Sequence, residues 1–86
     1  MPEQVPVSPT VAVLLDFERR WPGATPGKYE QIRAELGITE VRYAVLLGRA
    51  IDTTEALELD PVLVHHLRAQ RDRADRNRVS ILRHFS

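Results

Sequence analysis

Arginines in the second half of the chain are the residues best suited to bind a charged partner, because guanidinium groups match phosphates and base edges. Arg42 and Arg49 fall on the outward side of a predicted helix, and Thr39 at its start can contact a phosphate or a base. A later predicted helix carries five further candidates, which are Arg68, Arg71, Arg73, Arg76 and Arg78. All of these residues are predicted to bind DNA.

The charge of the chain is unevenly distributed, although 12 basic and 12 acidic residues give a net charge of zero. Residues 1–59 carry 6 basic and 9 acidic residues, a net of −3, whereas residues 60–86 carry 6 basic and 3 acidic residues, a net of +3. The C-terminal segment is therefore the electropositive part, which favours phosphate contacts from that segment.

The stretch "AELGITEVRYAVLLGRAID" (residues 34–52) must position Arg42 and Arg49. Its Leu-Gly-Ile-Thr turn separates two helical patterns, as a helix-turn-helix requires. Helix 2 is predicted from a Thr25-Pro26 start to about Leu36, with Gly37 as its left-handed stop. Thr39 is expected to cap helix 3, which continues to about Ile51.

The remaining elements are also predicted to be helical. Helix 1 is expected from Pro9 to Arg20, with Ser8 as its cap. "DTTEALEL" should form a connector with one short helical turn, and helix 4 should extend from Pro61 to about Phe85. No alternating strand pattern is present, so the fold class is all-α: a helix-turn-helix three-helix body with a long C-terminal helix. The predicted divisions are a flexible arm (1–8), the body (9–60) and a charged C-terminal helix (61–86).

Spacings of three and four residues predict which side chains form the core. Helix 1 should bury one apolar face and helix 2 another; the members are Val11, Leu14, Leu15, Phe17 and Trp21, then Tyr29, Ile32 and Leu36. Helix 3 should bury Tyr43, Leu46, Leu47 and Ala50. Its outward side then carries the small apolar residues Val41, Ala44, Val45 and Gly48, which could meet a DNA groove or a protein helix.

The C-terminal helix contains a heptad-like seam, whose members are Leu63, Leu67, Gln70, Ala74, Asn77 and Ile81. Beyond residue 70 the helix is polar nearly all round, and i,i+4 ion pairs are expected for Arg68–Asp72, Arg71–Asp75 and Asp72–Arg76. The apolar tail "VSILRHF" needs burial on the body or against a second copy. The predicted dimer or partner interface comprises Val41, Ala44, Val45, Ile81, Leu82 and Phe85.

Several kinds of chemistry find no support in the sequence. There is no cysteine, and His65, His66 and His84 lack carboxylate or thiolate neighbours at ligand spacing, so neither a metal nor another cofactor is predicted. "GATPG" lacks the ending of a phosphate-binding loop. We therefore expect no enzyme, and the short apolar runs predict a cytoplasmic protein without a membrane span.

Three blocks resemble the domain of unknown function 3263 family of small actinobacterial and actinophage proteins: "LLDFERRWP", "YEQIRAELGITEVRYAVLLGRAID" and "ALELDPVLVHHLRAQRDRADRNR". The first two match the family's L-D-F-E-R-x-W and its K-x-x-x-I-R-x-x-x-G-[IL]-[ST]-x-x-R-Y segment. The third matches its D-P-x-L-V-x-x-L-R-x-x-R-x-x-R segment up to Arg71. The resemblance implies a helix-turn-helix-like protein and supplies no activity. Ala44, Val45 and Gly48 stand where the family has larger or polar residues, which weakens the transfer of a base-reading role.

These observations predict a small DNA-binding regulatory protein of a host or a phage, with double-stranded DNA as its partner. Helix 3 would contact bases, the C-terminal helix would contact phosphates, and a homodimer could form. The alternative is a protein–protein interaction module on the same scaffold, which binds a host or phage protein without binding DNA.

Overall fold

A computed structural model describes residues 8–84, apart from the side chains of Ile81, Leu82 and His84. The chain forms α1 (Val11–Arg20), α2 (Pro26–Gln31), a π-helical turn (Ile32–Leu36), α3 (Glu40–Ala50), α4 (Thr54–Leu59) and α5 (Pro61–His84). Residues 8–84 contain no strand, which confirms the all-α prediction. The predicted arm lies outside the described residues except for Ser8, as does Phe85.

Short polar side chains begin the helices. A side-chain oxygen accepts a hydrogen bond from the N–H three residues later at each start, as expected of an N-cap; the caps are Thr10, Thr25, Thr39, Thr53 and Asp60. The expected start of helix 1 was wrong. Thr10 caps α1 through the N–H of Val13, so the helix begins at Val11, and both Ser8 and Pro9 precede it.

The expected continuous second helix is instead divided. It is α-helical only to Gln31, and the last turn widens to a π-helix that ends at Gly37. The N–H of Gly37 donates to the carbonyls of Ile32 and Arg33 at 3.1 and 3.0 Å. The φ of Gly37 is 70°, a conformation that favours glycine and confirms the predicted stop.

The core has two parts because adjacent residues of α1 face opposite sides. Leu14 packs with the helix-turn-helix, in a cluster whose other buried members are Phe17, Ile32, Tyr43 and Ala50. Leu15 packs with the end of α3, with α4 and with the start of α5, through Ile51, Ala56, Val64 and Leu67. Helix α1 is therefore a central layer between the helix-turn-helix and the C-terminal helices.

One predicted core residue was wrong. Tyr29 is 38% exposed, whereas its neighbour Lys28 is only 6% exposed. The π-helical turn begins after Gln31, so the seam expected from Tyr29 through Ile32 to Leu36 does not continue as one α-helical face. Ile32 is buried and Leu36 is partly buried against it.

The connector and the last helix follow the predicted order. The connector forms α4, a helix of 6 residues, and α5 has 24 residues, or about 36 Å at the usual rise. Leu63 is partly buried and Leu67 is buried on the body. Every residue from 72 to 80 is exposed, so this part of α5 extends beyond the core.

Candidate nucleic-acid interface

The outward side of α3 is exposed as the helical spacing predicted. Tyr43 and Ala50 are buried, and Leu46 and Leu47 are partly buried against the same core. The residues on the other side are exposed, except for the partly exposed Gly48; they are Thr39, Glu40, Val41, Arg42, Ala44, Val45 and Arg49. The helix-turn-helix therefore presents one free side of α3.

Arg42, Val45 and Arg49 form a stripe along this side, because residues at i, i+3 and i+7 share a helical face. The two arginines are separated by about 10 Å along the axis. Neither guanidinium group forms an ion pair or hydrogen bond with a described residue. All the N–H donors of both guanidinium groups therefore remain available to bind a ligand.

Thr39 has a structural role that limits what it can offer. Its hydroxyl oxygen accepts the N–H of Arg42 at 3.1 Å and so caps α3. The hydroxyl proton remains able to donate to an acceptor such as a phosphate oxygen.

A small apolar patch shares the outward side of α3. Val41 is 70% exposed and Val45 is 42% exposed, and Ala44 lies between them in sequence, also exposed. Gly48 lies one turn after Ala44, and a Cβ atom built on it would meet no atom within 4 Å. No intramolecular contact therefore requires glycine at this position.

Glu18, Lys28 and Tyr43 form a buried polar network that the sequence analysis missed. Glu18 Oε1 accepts hydrogen bonds from Lys28 Nζ at 2.7 Å and from the Tyr43 hydroxyl at 2.6 Å. Lys28 Nζ also donates to the carbonyl of Gly23 at 2.8 Å. The network connects α1, the loop after it, α2 and α3 inside the core.

The environment of Tyr43 keeps its hydroxyl protonated. Burial raises the pKa of Tyr43, and the hydrogen bond to the Glu18 carboxylate raises it further. The ring packs edge-on against Phe17 at a centroid distance of 5.4 Å. A signal in the sequence was Glu18 itself, which lies four residues after Leu14 and three before Trp21, on the apolar face of α1.

Two of the predicted phosphate-contacting arginines bind the end of α3 instead. Arg68 Nε donates to the backbone carbonyl of Ile51 at 2.7 Å. Arg71 donates to both carboxylate oxygens of Asp52 at 2.9 and 3.1 Å, and this hydrogen bonding raises the pKa of Arg71. Both guanidinium groups thus attach α5 to the residues that follow α3.

Three further arginines of α5 are available. Arg73, Arg76 and Arg78 are exposed and form no ion pair or side-chain hydrogen bond with a described residue. The prediction of three i,i+4 ion pairs in α5 was wrong. Arg71, for example, binds Asp52, and its ion pair within the helix is with Asp72 at 3.5 Å. The side chains of Ile81 and Leu82, like Phe85, lie outside the described part, so their interface role stays a prediction.

Surface ion pairs hold α1 against its neighbours. Arg19 binds Asp60 at 3.0 Å, at the start of α5, and Arg20 binds Glu35 in the π-helical turn. The N–H of Leu63 and the guanidinium of Arg19 lower the pKa of Asp60, and Arg20 lowers the pKa of Glu35. Asp16 pairs with both Arg19 and Arg20 on α1.

Neither a metal cluster nor a membrane-spanning helix is present among the described residues. The described residues contain no group of three or more His, Cys, Asp or Glu side chains placed to hold a metal ion. None of the described helices combines the length and the apolar character needed to cross a bilayer.

The comparisons with known proteins identify a family. The model of a family described as "Protein of unknown function (DUF3263)" matches residues 7–79. This range includes the helix-turn-helix and the available arginines of α5. No curated protein and no solved structure matches the chain.

Proposed function

Since the chain belongs to the DUF3263 family of proteins of unknown function, we propose a function from its own site: binding of double-stranded DNA. Helix α3 would enter the major groove, and the available arginines of α5 would contact phosphates. This role suits a transcriptional or phage regulatory factor in the cytoplasm.

The observation that carries the proposal is the free side of α3. The guanidinium groups of Arg42 and Arg49 lie on one face and have no partner among the described residues. They belong to the second helix of a helix-turn-helix, which is the helix that reads the major groove in proteins of this architecture. A guanidinium group can bind the O6 and N7 atoms of guanine together. Val45 between them can touch the methyl group of thymine.

Phosphate contacts would supply most of the affinity. Few strong base-reading side chains are present on α3, so we expect weak sequence selectivity. Arg73, Arg76 and Arg78 are the preferred phosphate contacts, because Arg68 and Arg71 are occupied by Ile51 and Asp52. Glu40 near the start of α3 would repel a DNA phosphate. Its negative charge is instead stabilising there because it complements the helix dipole.

A homodimer is part of the proposal. The exposed members of the seam, Gln70, Ala74 and Asn77, are open to a second copy. In this register Arg73 and Arg78 flank the seam, so two copies would bring like charges together. Salt or bound DNA should therefore promote pairing.

A second candidate function is binding of a host or phage protein through the apolar patch of α3. The exposed Val41 and the mid-helix Gly48, which no internal contact requires, favour it. Glycine and alanine would allow a partner helix to approach the backbone closely. A partner of this kind would be apolar where it meets Val41, Ala44 and Val45.

The deciding experiment is a salt titration of binding to fluorescent duplex DNA, with random-sequence duplexes for the affinity and a panel of defined duplexes for the sequence preference. Arg42→Ala should weaken binding and reduce any sequence preference. Arg42→Lys is the matched control, because lysine keeps the positive charge but cannot form the bidentate hydrogen bonds of a guanidinium group. If the lysine variant keeps the salt dependence but loses preference, Arg42 reads a base. If the wild-type protein binds no duplex DNA at low salt, the proposal fails and the protein-binding alternative is favoured.

A further inference from the structure

The rotation of α3 about its own axis determines whether Arg42 and Arg49 face a ligand. Apolar packing alone sets this rotation loosely, because hydrophobic contacts are not directional. Leu46 and Leu47 are only partly buried against the core. A directional contact is needed to define one orientation.

The buried network provides such a contact. Glu18 Oε1 lies 2.6 Å from the Tyr43 hydroxyl and 2.7 Å from Lys28 Nζ. A rotation of α3 by about 20° would move an atom at the helix surface by about 2 Å, since a helix with its side chains is roughly 10–12 Å across. Such a movement would break the hydrogen bond of Tyr43 and leave a buried polar group without its partner, which is strongly unfavourable.

We infer that Glu18, Lys28 and Tyr43 are positioning residues that set the rotation of α3 and thereby fix the direction in which Arg42 and Arg49 project from its exposed side. The consequence for DNA rests on the proposed function, whereas the orientation itself does not. Lys28 holds the carboxylate through α2 and the Gly23 carbonyl, so Glu18 cannot follow a rotating Tyr43. All buried side-chain polar atoms of the described residues have partners, so the network is complete.

Stability alone does not explain the network. A buried ion pair costs desolvation, and apolar replacements of similar volume often leave stability unchanged or raise it. Directional polar contacts can instead select one arrangement among similar ones. Orientation and stability can therefore be separated by a variant that replaces the whole network, Glu18→Leu with Lys28→Met and Tyr43→Phe.

The first test measures orientation without DNA. The chain has no cysteine, so Val13→Cys on α1 and Val45→Cys on α3, both exposed, allow spin labels to be attached to these two helices. Pulsed electron paramagnetic resonance should give a narrow distance distribution in the otherwise wild-type protein and a broad or bimodal one when the network is replaced. Labels at Val13→Cys and Val62→Cys, the second on α5, form the control pair, and their distribution should stay narrow.

An unchanged α1–α3 distribution in a folded network variant would overturn the inference. If the triple variant does not fold, Tyr43→Phe alone removes the directional contact and keeps the ring against Phe17. The same broadening is expected for that variant. A distribution as narrow as that of the wild type would again overturn the inference.

The second test measures the effect on Arg42. Arg42→Ala should lower the affinity for the defined duplex that the wild-type protein binds best by about tenfold in the wild-type background, because a bidentate contact to a base is lost. In the network variant the same change should cost much less, because Arg42 is already misplaced. Arg78→Ala is the control, and its effect should be equal in both backgrounds.

Equal losses for Arg42→Ala in the two backgrounds would contradict the positioning role. Absence of DNA binding by the wild-type protein would defeat the proposed function instead. In that case the spin-label distances still decide whether the network orients α3.

Discussion

Arg68 donates a hydrogen bond from its Nε atom to the backbone carbonyl of Ile51, 17 residues earlier, at a distance of 2.7 Å. The carbonyl belongs to the C-cap residue of α3, where helical carbonyls lack partners within the helix. A cation at this position is also favoured by the helix dipole. The contact therefore fastens α5 to the end of α3.

Arg68→Ala should lower the free energy of unfolding by about 1–2 kcal/mol, because a hydrogen bond between a charged donor and a partly buried acceptor is lost. Chemical denaturation followed by circular dichroism measures this loss. Arg73→Ala is the matched control on the same helix, since Arg73 is exposed and has no described partner. Its effect should stay within about 0.5 kcal/mol. Equal effects of the two variants would show that the Arg68 contact contributes nothing.

Changing both Arg73 and Arg78 to Ala should weaken DNA binding on all sequences alike. Each lost phosphate contact reduces the logarithmic salt slope by about 0.9, so the double variant should lose about 1.8. Fluorescence anisotropy at several salt concentrations gives the slope. Arg42→Ala should instead reduce sequence preference, because it removes a base contact. An unchanged slope in the double variant would exclude these residues as phosphate contacts.

Gly48→Ala should raise the free energy of unfolding by about 1 kcal/mol, because alanine favours a helix interior. An added Cβ atom meets no atom within 4 Å, so no clash opposes the gain. Thermal unfolding measures the stability, and DNA or protein binding is measured on the same variant. Weaker binding by a more stable protein would indicate that a partner approaches the backbone at Gly48. A loss of stability would contradict the open space around it.

Lowering the pH should destabilise the protein partly through Asp60. Its pKa in the folded protein lies below the ordinary value of 3.8 because of the Leu63 N–H and Arg19. A lowered folded pKa contributes stability that is present above the unfolded value and is lost as the pH falls through the folded value. Asp60→Asn keeps a side chain that can cap the helix but removes the titrating carboxyl group. The plot of melting temperature against pH should therefore be flatter below about pH 4 in this variant than in the wild-type protein. Asp75→Asn, at an exposed site without a described partner, should leave the profile unchanged.

Self-association should depend on the C-terminal residues. If the seam of α5 pairs with a second copy, removal of residues 79–86 should lower the mass measured by sedimentation. Because Arg73 and Arg78 flank the seam, added salt should increase the mass of the intact protein. A protein that stays monomeric at every salt concentration and at high protein concentration would show that the seam does not pair.

The sequence by itself determined the order of the helices and, to within the rotation that the buried network sets, the outward side of α3. Threonine and aspartate caps, the glycine stop at Gly37 and spacings of three and four residues are local signals, and local hydrogen bonds and side-chain periodicity act within a few residues. For this reason the free side with Arg42 and Arg49 could be predicted before the tertiary structure was known. The cap of α1 was misplaced by two residues because Ser8 and Thr10 are both competent caps, and only the geometry of the first turn selects Thr10.

The tertiary structure alone decided which charged groups meet. Lys28 is buried and Tyr29 is exposed, although their hydrophobicity alone would predict the reverse. Lys28 can be buried because Glu18 and the Gly23 carbonyl accept its hydrogen bonds inside the core. Arg71 binds Asp52 rather than a carboxylate on its own helix, since α5 crosses the end of α3 at that point. Such pairings join residues 10 to 25 positions apart, and they depend on how helices cross, which local spacing does not encode.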